Sequence, residues 1–251
     1  RSWLFLGHES QIRAAGDFVQ AYMCETPVIL SRGFDGNIHA TINSCSHRGL
    51  PVCRADHGNT KRFVCPYHNW AYSVEGDLLV IPQEREVANK PDKRQLGLKR
   101  VPRVESWRGL IFGSFDANIV PLEDYLGDMR FYLDAFFARF PAGIEFMGAP
   151  QRWVINANWK LPVENQLGDV NHGAFLHSAI IPREAQDAIE KLGYSVVTTP
   201  GHGATFRLMP NDAPVDDVAW GMEGLGAIFG GDEVQDYLRE IQRQAQQRVG
   251  N

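Results

Sequence analysis

The chain has 251 residues, which suits one large domain or two smaller ones and is ample for a buried core. Its 44% hydrophobic and 22% charged residues are those of a globular protein, and its formal net charge of −5 argues against a nucleic-acid binder or a protein held on anionic membranes. No apolar run approaches the length of a membrane span.

The first half of the chain has the pattern of short strands joined by tight turns. Hairpin signals lie at Asp35-Gly36 and around Gly76. Apolar and β-branched runs flank them, in PVILSR, IHATIN, KRFVC, LLVIP, LKRVPRVES and GLIFGSFD. The sequence therefore predicts a compact all-β module over residues 27–120, with residues 1–26 as an N-terminal segment that packs on a second domain.

The pattern changes at Pro121, a residue that suits a first helical turn. Apolar residues then follow at helical spacing, at Leu122, Leu126, Met129, Leu133, Phe136 and Phe140. A strand (RWVINAN), a broken helix (NWKLPVENQLGDVNHGAFLH), two strands (SVVTT and TFRLMP) and an amphipathic helix from Asp232 come next. The prediction is an α+β second domain over residues 121–251, so the fold class of the whole chain is α+β.

Two short loops each carry one cysteine and one histidine, namely Cys45 and His47 in CSHRG and Cys65 and His68 in CPYHNW. Thiolates with imidazoles suit zinc or iron–sulfur chemistry, and a structural Cys₂His₂ zinc site is the alternative. The alternating order favours a [2Fe–2S] cluster in which the cysteines hold one iron and the histidines hold the other, which is a Rieske centre. Trp70 is expected to shield the histidine side from water.

The two remaining cysteines, Cys24 and Cys53, have no histidine beside them. Four cysteines in a chain of this length are too few for a disulfide scaffold. We therefore expect both to be free, buried thiols in a reducing, cytoplasmic protein.

A second group of metal-ligand residues lies in ENQLGDVNHGAFLH, which holds Asp169, His172 and His177. Two imidazoles and a carboxylate are the donor set of non-haem Fe(II) oxygenases. The two histidines are five residues apart, so a bulge or break at Gly173 is needed to turn both towards one metal. A buried helix with two satisfied histidines is the alternative, and the Rieske module upstream favours the metal.

These motifs, together with RSWLFLGHES, RVESWRGLIFGSFD and PLEDYLGD, resemble the large (α) subunit of a Rieske non-haem iron ring-hydroxylating oxygenase of the naphthalene-dioxygenase-like kind. The resemblance covers nearly the whole chain. It implies cluster ligands at Cys45, His47, Cys65 and His68, and ligands of a mononuclear iron at His172 and His177.

The same resemblance implies roles for three more residues. Asp169 corresponds to an aspartate that is not an iron ligand but hydrogen-bonds an iron-ligating histidine and a Rieske histidine of the neighbouring subunit. Asn165 corresponds to an asparagine near the iron. Gln166 stands where members acting on hydrocarbons often have an apolar aromatic residue, so a polar pocket and a substituted aromatic ring are expected.

For the whole protein, the resemblance implies a helix-grip-like catalytic domain with an antiparallel sheet. Electrons from NADH would pass through a reductase, often with a ferredoxin, to activate O₂ at Fe(II) and hydroxylate an aromatic ring. An α₃ or α₃β₃ oligomer is implied. A Rieske electron-transfer protein without oxygenase chemistry is the alternative. The family's third iron ligand would lie well beyond Asn251, and the chain starts at Arg1 without methionine, so we expect a fragment.

Overall fold

The computed structural model describes residues 2–86, 91–137, 143–148, 150, 152–169, 172, 176, 179, 193–199, 201–207, 236, 240, 243 and 244. The chain divides into two compact units, which are Arg1–Tyr125 with Ile144–Arg152, and Leu126–Gly143 with Trp153–Asn251. None of the helices in the described ranges is long and apolar enough to cross a membrane. Most of the helix predicted from Asp232 lies outside the described residues.

The first unit contains the predicted all-β module. Its strands are β1 (Leu4–His8), β2 (Asp17–Met23), β3 (Thr26–Arg32), β4 (Ile38–Ile42), β5 (His57–Asn59), β6 (Arg62–Val64), β7 (Ala71–Ser73), β8 (Leu78–Val80), β9 (Arg103–Trp107) and β10 (Leu110–Ser114). They form three antiparallel sheets, ordered β4-β3-β2-β5, β1-β10-β9 and β6-β7-β8. Because β1 and β2 belong to these sheets, residues 4–23 are part of the β unit, and the predicted packing of residues 1–26 on a catalytic domain stays a prediction.

Strand β3 is buried on both faces, which explains its unbroken apolar run. Ile29 points into one core, which surrounds the Cys–His loops and includes Phe18, Cys45, Phe63, Cys65 and Tyr72. Val28 and Leu30 point into the other core, which includes Leu6, Ile12, Val19, Met23 and Ile111. All three β3 side chains are fully buried. The burial of each side chain contributes about 1.5–3 kcal/mol relative to an exposed position. Strand β3 therefore lies between the two cores and contributes side chains to both.

The turn between β3 and β4 forms where Asp35-Gly36 predicts it. Gly36 has a φ of 81°, which glycine adopts without steric cost. The Gly33 N–H donates to the Asn37 carbonyl at 2.9 Å, and the Asp35 carboxylate accepts from the Asn37 N–H at 2.9 Å. Two local features of the sequence therefore stabilise the turn, a glycine in the left-handed conformation and an Asx hydrogen bond.

The described elements after residue 121 are α1 (Leu122–Leu126), α2 (Met129–Phe137), α3 (Lys160–Leu167), β11 (Gly193–Thr198) and β12 (His202–Arg207). The single helix predicted after Pro121 is divided into α1 and α2, because Gly127 has a φ of 50°. Leu122, Leu126 and Met129 of the predicted apolar stripe are buried, whereas Phe136 is exposed. Phe140 lies outside the described residues. Strands β11 and β12 pair antiparallel, as predicted.

The predicted strand RWVINAN is wrong for the described residues 152–157, which have no regular secondary structure. Trp153, Val154 and Ile155 are 73%, 97% and 62% exposed. A strand is stable only when a neighbouring strand pairs with its backbone, and the apolar sequence alone does not supply that partner.

The prediction that both unpaired cysteines are buried is wrong for Cys24. Cys53 is buried, but Cys24 is exposed in the two-residue turn between β2 and β3, with a φ of 55°. Such hairpin turns need positive φ values, and their side chains point to solvent.

Candidate metal centres

The two Cys–His loops share one backbone hydrogen-bond pattern. In each loop the cysteine N–H donates to the carbonyl five residues later, at 2.9 Å from Cys45 and 2.8 Å from Cys65. The cysteine carbonyl accepts from the N–H four residues later, at 2.7 Å from Gly49 and 3.0 Å from Asn69. Gly49 and Asn69 have φ values of 76° and 57°. The two loops therefore form equivalent turns. They differ in the position of the histidine, which is two residues after Cys45 in the first loop and three residues after Cys65 in the second.

These turns bring the four predicted cluster ligands together in two layers. The thiols of Cys45 and Cys65 are 3% and 2% exposed and interact with each other. The rings of His47 and His68 lie nearer the surface, with their centroids 4.7 Å apart and their planes at 66°. A pair of thiols thus lies inside a pair of imidazoles.

This arrangement fits a [2Fe–2S] cluster better than a single zinc ion. A tetrahedral zinc needs four ligands around one point. A [2Fe–2S] cluster needs only pairs, with two cysteines on one iron and two histidines on the other. The donor set and its division into pairs both match that requirement.

Tyr72, on β7, is a neighbour of the cluster site that the sequence analysis missed. Its side chain is fully buried, and its hydroxyl lies 3.2 Å from the Cys45 sulfur and accepts from the Ser46 N–H at 3.1 Å. Burial, and then the contact with Cys45, raise the pKa of Tyr72 above its usual range. A cysteine that ligates iron is a thiolate and only accepts, so in the proposed cluster the Tyr72 hydroxyl would be the donor to the Cys45 sulfur. Nothing in the local sequence distinguishes Tyr72 from an ordinary core aromatic residue.

Asn43 is a second residue that the sequence analysis missed. It is buried, and its side-chain oxygen accepts from the N–H groups of Val52 (2.8 Å) and Cys53 (3.0 Å). Its amide nitrogen donates to the Cys53 carbonyl at 2.7 Å. One amide thus satisfies three buried backbone groups and closes the stem of the first loop.

Aromatic rings cover the histidine pair. The Trp70 ring stacks on His47, with centroids 5.0 Å apart and planes within 7°. The Tyr67 ring lies 3.9 Å from His68. Desolvation, and then electrostatic interaction with His47 and Arg48, lower the pKa of His68. This favours the neutral imidazole, which is the form that binds a metal.

Asn165, Asp169 and His172 of the predicted iron site lie together at the end of α3. The Asp169 carboxylate accepts from the His172 backbone N–H at 3.0 Å. The His172 Nδ1 contacts the Asp169 backbone carbonyl, and its Nε2 lies 3.4 Å from the Asn165 side-chain nitrogen. A carbonyl only accepts, so this contact requires the proton on Nδ1, and Nε2 then accepts from the Asn165 amide and is the nitrogen that could bind a metal in place of that contact. His172 therefore fits an imidazole ligand.

The rest of the predicted iron site is described only in part. His177 lies outside the described residues. The imidazole of His172 is contacted by the Asp169 backbone carbonyl, whereas the resemblance implies a contact from the carboxylate. The Gln166 side chain is exposed. The backbone carbonyl of Gln166 accepts from the Thr205 hydroxyl at 2.6 Å, which connects α3 to β12.

Comparison with known proteins agrees with the fold and with the cluster site. The model of the Rieske [2Fe-2S] domain matches residues 2–91, the part of the chain that contains both Cys–His loops. Beyond that domain, the chain is homologous to the large oxygenase components of ring-hydroxylating dioxygenases, which confirms the predicted family resemblance.

Three relatives illustrate the homology. The large oxygenase component of naphthalene 1,2-dioxygenase from Ralstonia sp. is 39% identical over 95% of this chain and 52% of its own length. That of 2,4-dinitrotoluene dioxygenase from Burkholderia sp. is 45% identical over 96% and 55%, and the benzene 1,2-dioxygenase α subunit from Pseudomonas putida is 37% identical over 100% and 55%. The chain spans about half the length of the curated relatives it matches.

Solved structures give the same result. Naphthalene 1,2-dioxygenase from Rhodococcus sp., bound to indole, superposes with a TM-score of 0.74 at 41% identity, over 85% of this chain and 49% of that protein. The α+β fold with its antiparallel sheets therefore matches the corresponding part of a solved naphthalene dioxygenase. The predicted cofactors, a Rieske cluster and a mononuclear iron, agree with this homology.

Proposed function

We propose that this chain is part of the terminal oxygenase component of a multi-component system that hydroxylates an aromatic ring. The observation that carries the proposal is the pairing of two buried thiols with two imidazoles in equivalent loops, on a chain whose homology to dioxygenase large subunits continues through the second unit. Electrons would come from NADH through a reductase, with or without a ferredoxin, and the substrates would be O₂ and an aromatic compound.

Cys45 and Cys65 would hold one iron of the cluster, and His47 and His68 the other. The cluster, when bound, supplies one-electron transfer at a potential raised by its neutral imidazole ligands. The chain's own contribution is to bury the sulfurs, to orient the imidazoles towards the surface and to cover them with aromatic rings. Trp70 would limit the access of water to His47, since the two rings are stacked.

His172 and His177 would hold the mononuclear iron, with Asn165 beside it. This iron, when bound, supplies the centre at which O₂ is activated. His172 is oriented by the contact of its Nδ1 with the Asp169 carbonyl, which directs Nε2 away from that backbone. In an α₃ or α₃β₃ oligomer, the Asp169 carboxylate would link the iron site of one subunit to the Rieske histidine of its neighbour.

A Rieske electron carrier without oxygenase chemistry is the second candidate. Such carriers consist of little more than the β module. The homology to oxygenase large subunits extends over 95% of the chain in the Ralstonia relative, and Asn165, Asp169 and His172 lie in that additional part. These observations favour the oxygenase.

The aromatic substrate is proposed to carry a polar substituent, because Gln166 stands where members of the family acting on hydrocarbons often have an apolar aromatic residue. The test compares turnover of benzoate-type acids with that of naphthalene-type hydrocarbons by the complete oxygenase that contains this sequence. Faster turnover of the hydrocarbons would remove this part of the proposal and leave the oxygenase function intact.

The metal content of protein purified without oxygen tests the proposed function directly. Two irons and two acid-labile sulfides per chain, with a Rieske-type spectrum, are expected for the cluster, and a further iron is expected when the mononuclear site is filled. Zinc without sulfide would overturn the proposal. Two irons and two sulfides alone would locate the failure in the second metal site of the isolated chain.

A further inference from the structure

Ser46 connects the first cluster loop to two other parts of the β unit. Its hydroxyl donates to the Gly97 carbonyl at 2.6 Å, and its backbone N–H donates to the Tyr72 hydroxyl at 3.1 Å. The Tyr72 hydroxyl in turn lies 3.2 Å from the Cys45 sulfur. These contacts form a continuous series from the backbone at residue 97, through Ser46 and Tyr72, to a proposed cluster ligand.

The backbone at Gly97, where this series of contacts begins, is held in place by the β7–β8 turn. The Leu98 N–H donates to the Gly76 carbonyl at 2.7 Å. A Cβ atom at Gly97 would lie 2.8 Å from that same carbonyl oxygen, closer than real Cβ atoms approach. Residue 97 is therefore held against the β7–β8 turn, and its carbonyl is an acceptor with a defined position for the Ser46 hydroxyl.

We propose that Ser46 is a positioning residue that sets the hydrogen bond between Tyr72 and the Cys45 sulfur, and thereby the reduction potential of the cluster. This inference rests on the proposed cluster ligands. The Ser46 N–H reaches the Tyr72 hydroxyl at 3.1 Å, which is at the long end of the normal range for an oxygen acceptor, so a small shift of the loop weakens this contact.

The sign of the effect follows from charge. Reduction adds one negative charge to the cluster and its ligands, and a donor to the cysteine sulfur stabilises the reduced form more than the oxidised form. Without the Ser46 hydroxyl, the Ser46 peptide can move away from Tyr72, and the Tyr72 proton is no longer held towards sulfur. The reduction potential should then fall.

The experiment is a redox titration of the cluster in Ser46→Ala, followed by its EPR signal. The ratio of reduced to oxidised cluster at a fixed solution potential is expected to fall up to tenfold, which corresponds to about 59 mV for one electron. Ser46→Thr, which keeps the hydroxyl, should retain the wild-type value. In a Tyr72→Phe background, Ser46→Ala should have no further effect.

Ser44→Ala is the matched control, because Ser44 donates to the Gly49 carbonyl in the same loop but has no contact with Tyr72 among its described hydrogen bonds. An unchanged potential in Ser46→Ala, an equal shift in Ser44→Ala, or a full shift that persists in the Tyr72→Phe background would each overturn the inference. If Ser46→Ala does not assemble a cluster, Gly97→Ala decides, since it displaces the acceptor and should also lower the potential. A wild-type chain without cluster would instead refute the proposed function.

Discussion

Gly49 and Asn69 occupy the same position in the two cluster loops, and both have a left-handed backbone. A residue with a Cβ atom pays about 1–2 kcal/mol for this conformation, which glycine avoids and asparagine tolerates better than most residues. The Asn69 N–H also donates to the Cys65 carbonyl, so the conformation is part of the turn that presents His68. The second loop therefore depends on the residue type at position 69.

We expect Asn69→Ala to destabilise the protein by about 1 kcal/mol, whereas Asn69→Gly leaves the stability within about 0.5 kcal/mol of wild type. Alanine adopts positive φ poorly, and glycine adopts it readily. Urea unfolding of the two variants measures the difference. Equal stabilities of the alanine and glycine variants would show that backbone strain at residue 69 is not the controlling factor.

The hydroxyl of Thr41 is buried and has no hydrogen-bond partner within the described part of the chain. Its side chain is fully buried, and a hydroxyl left unpaired costs about 1–3 kcal/mol. Thr41→Val keeps the shape and removes that group, so we expect an increase in the free energy of unfolding of about 1 kcal/mol.

Ser31→Ala is the matched comparison for Thr41→Val. Ser31 is equally buried, but its hydroxyl donates to the Val74 carbonyl at 2.7 Å. Its removal leaves a buried carbonyl without that donor and should destabilise the protein by about 1–3 kcal/mol. Opposite signs for the two variants, measured by thermal unfolding, support this account, and a destabilised Thr41→Val contradicts it.

The four proposed cluster ligands could be recognised from the sequence because spacing and residue type are local properties. The residues that support them could not. Tyr72 reaches Cys45 across 27 positions, and Ser46 reaches Gly97 across 51. Such contacts arise only when separate hairpins pack together, and no short-range pattern encodes them.

At the scale of secondary-structure elements, the sequence was most informative where burial and pairing agree. Strand β3 is apolar because two cores cover it, and it pairs with strands on both sides. The RWVINAN segment has a similar composition, but residues 152–157 form no strand. An apolar composition indicates that a segment can be buried in a sheet. Strand formation also needs a neighbouring strand for backbone hydrogen bonds, and only the tertiary structure provides that neighbour.

Glu105, on β9, connects this strand to the start of α1 at the end of the β unit. One carboxylate oxygen accepts from the Leu122 N–H at the start of α1, at 2.8 Å, and the other pairs with Arg103 on β9. The Arg103 guanidinium also donates to the Ile119 carbonyl at 3.2 Å and lies over the Trp3 ring at 5.6 Å. A single acidic residue thus caps a helix and holds an arginine that anchors the N-terminal segment.

We expect Glu105→Ala to lower the free energy of unfolding by about 1–2 kcal/mol, since both the helix cap and the partner of Arg103 are removed. Both side chains are about one-third exposed, so solvent screens the ion pair and the cap should account for most of the loss. Glu105→Gln keeps an acceptor for Leu122 and should lose less. Equal losses in the two variants, measured by chemical denaturation, would assign the effect to the charge instead.

At the scale of the whole molecule, the chain does not divide at one point. Residues Ile144–Arg152 return to the β unit after a segment of the second unit. Within the β unit, Phe146 stacks on His8 at 4.7 Å and donates its N–H to the Ser10 hydroxyl at 2.9 Å. The boundary predicted at residue 120 depends on a change in hydrophobic periodicity. A segment of only nine residues is too short to show such a periodicity, so the sequence did not predict that it belongs to the β unit.

Asp169 provides the prediction that concerns the assembled oxygenase containing this sequence. Its carboxylate would connect the two metal centres of neighbouring subunits, and its contacts with His172 help to fix the imidazole. Asp169→Asn keeps the shape but removes the charge. We therefore expect a loss of turnover of roughly 10- to 100-fold, the range found when residues that orient metal ligands are replaced.

The visible and EPR spectra of the cluster should be unchanged in Asp169→Asn, because Asp169 is remote in sequence from the four proposed cluster ligands and lies in the other unit. Product formation and O₂ uptake, measured with saturating reductant, give the turnover. Asp128→Asn, an exposed aspartate beside α2, is the control and should behave as wild type. Wild-type rates with full coupling of O₂ uptake to product in Asp169→Asn would exclude the linking role. A lost cluster spectrum would show instead that Asp169 supports the fold of the cluster unit.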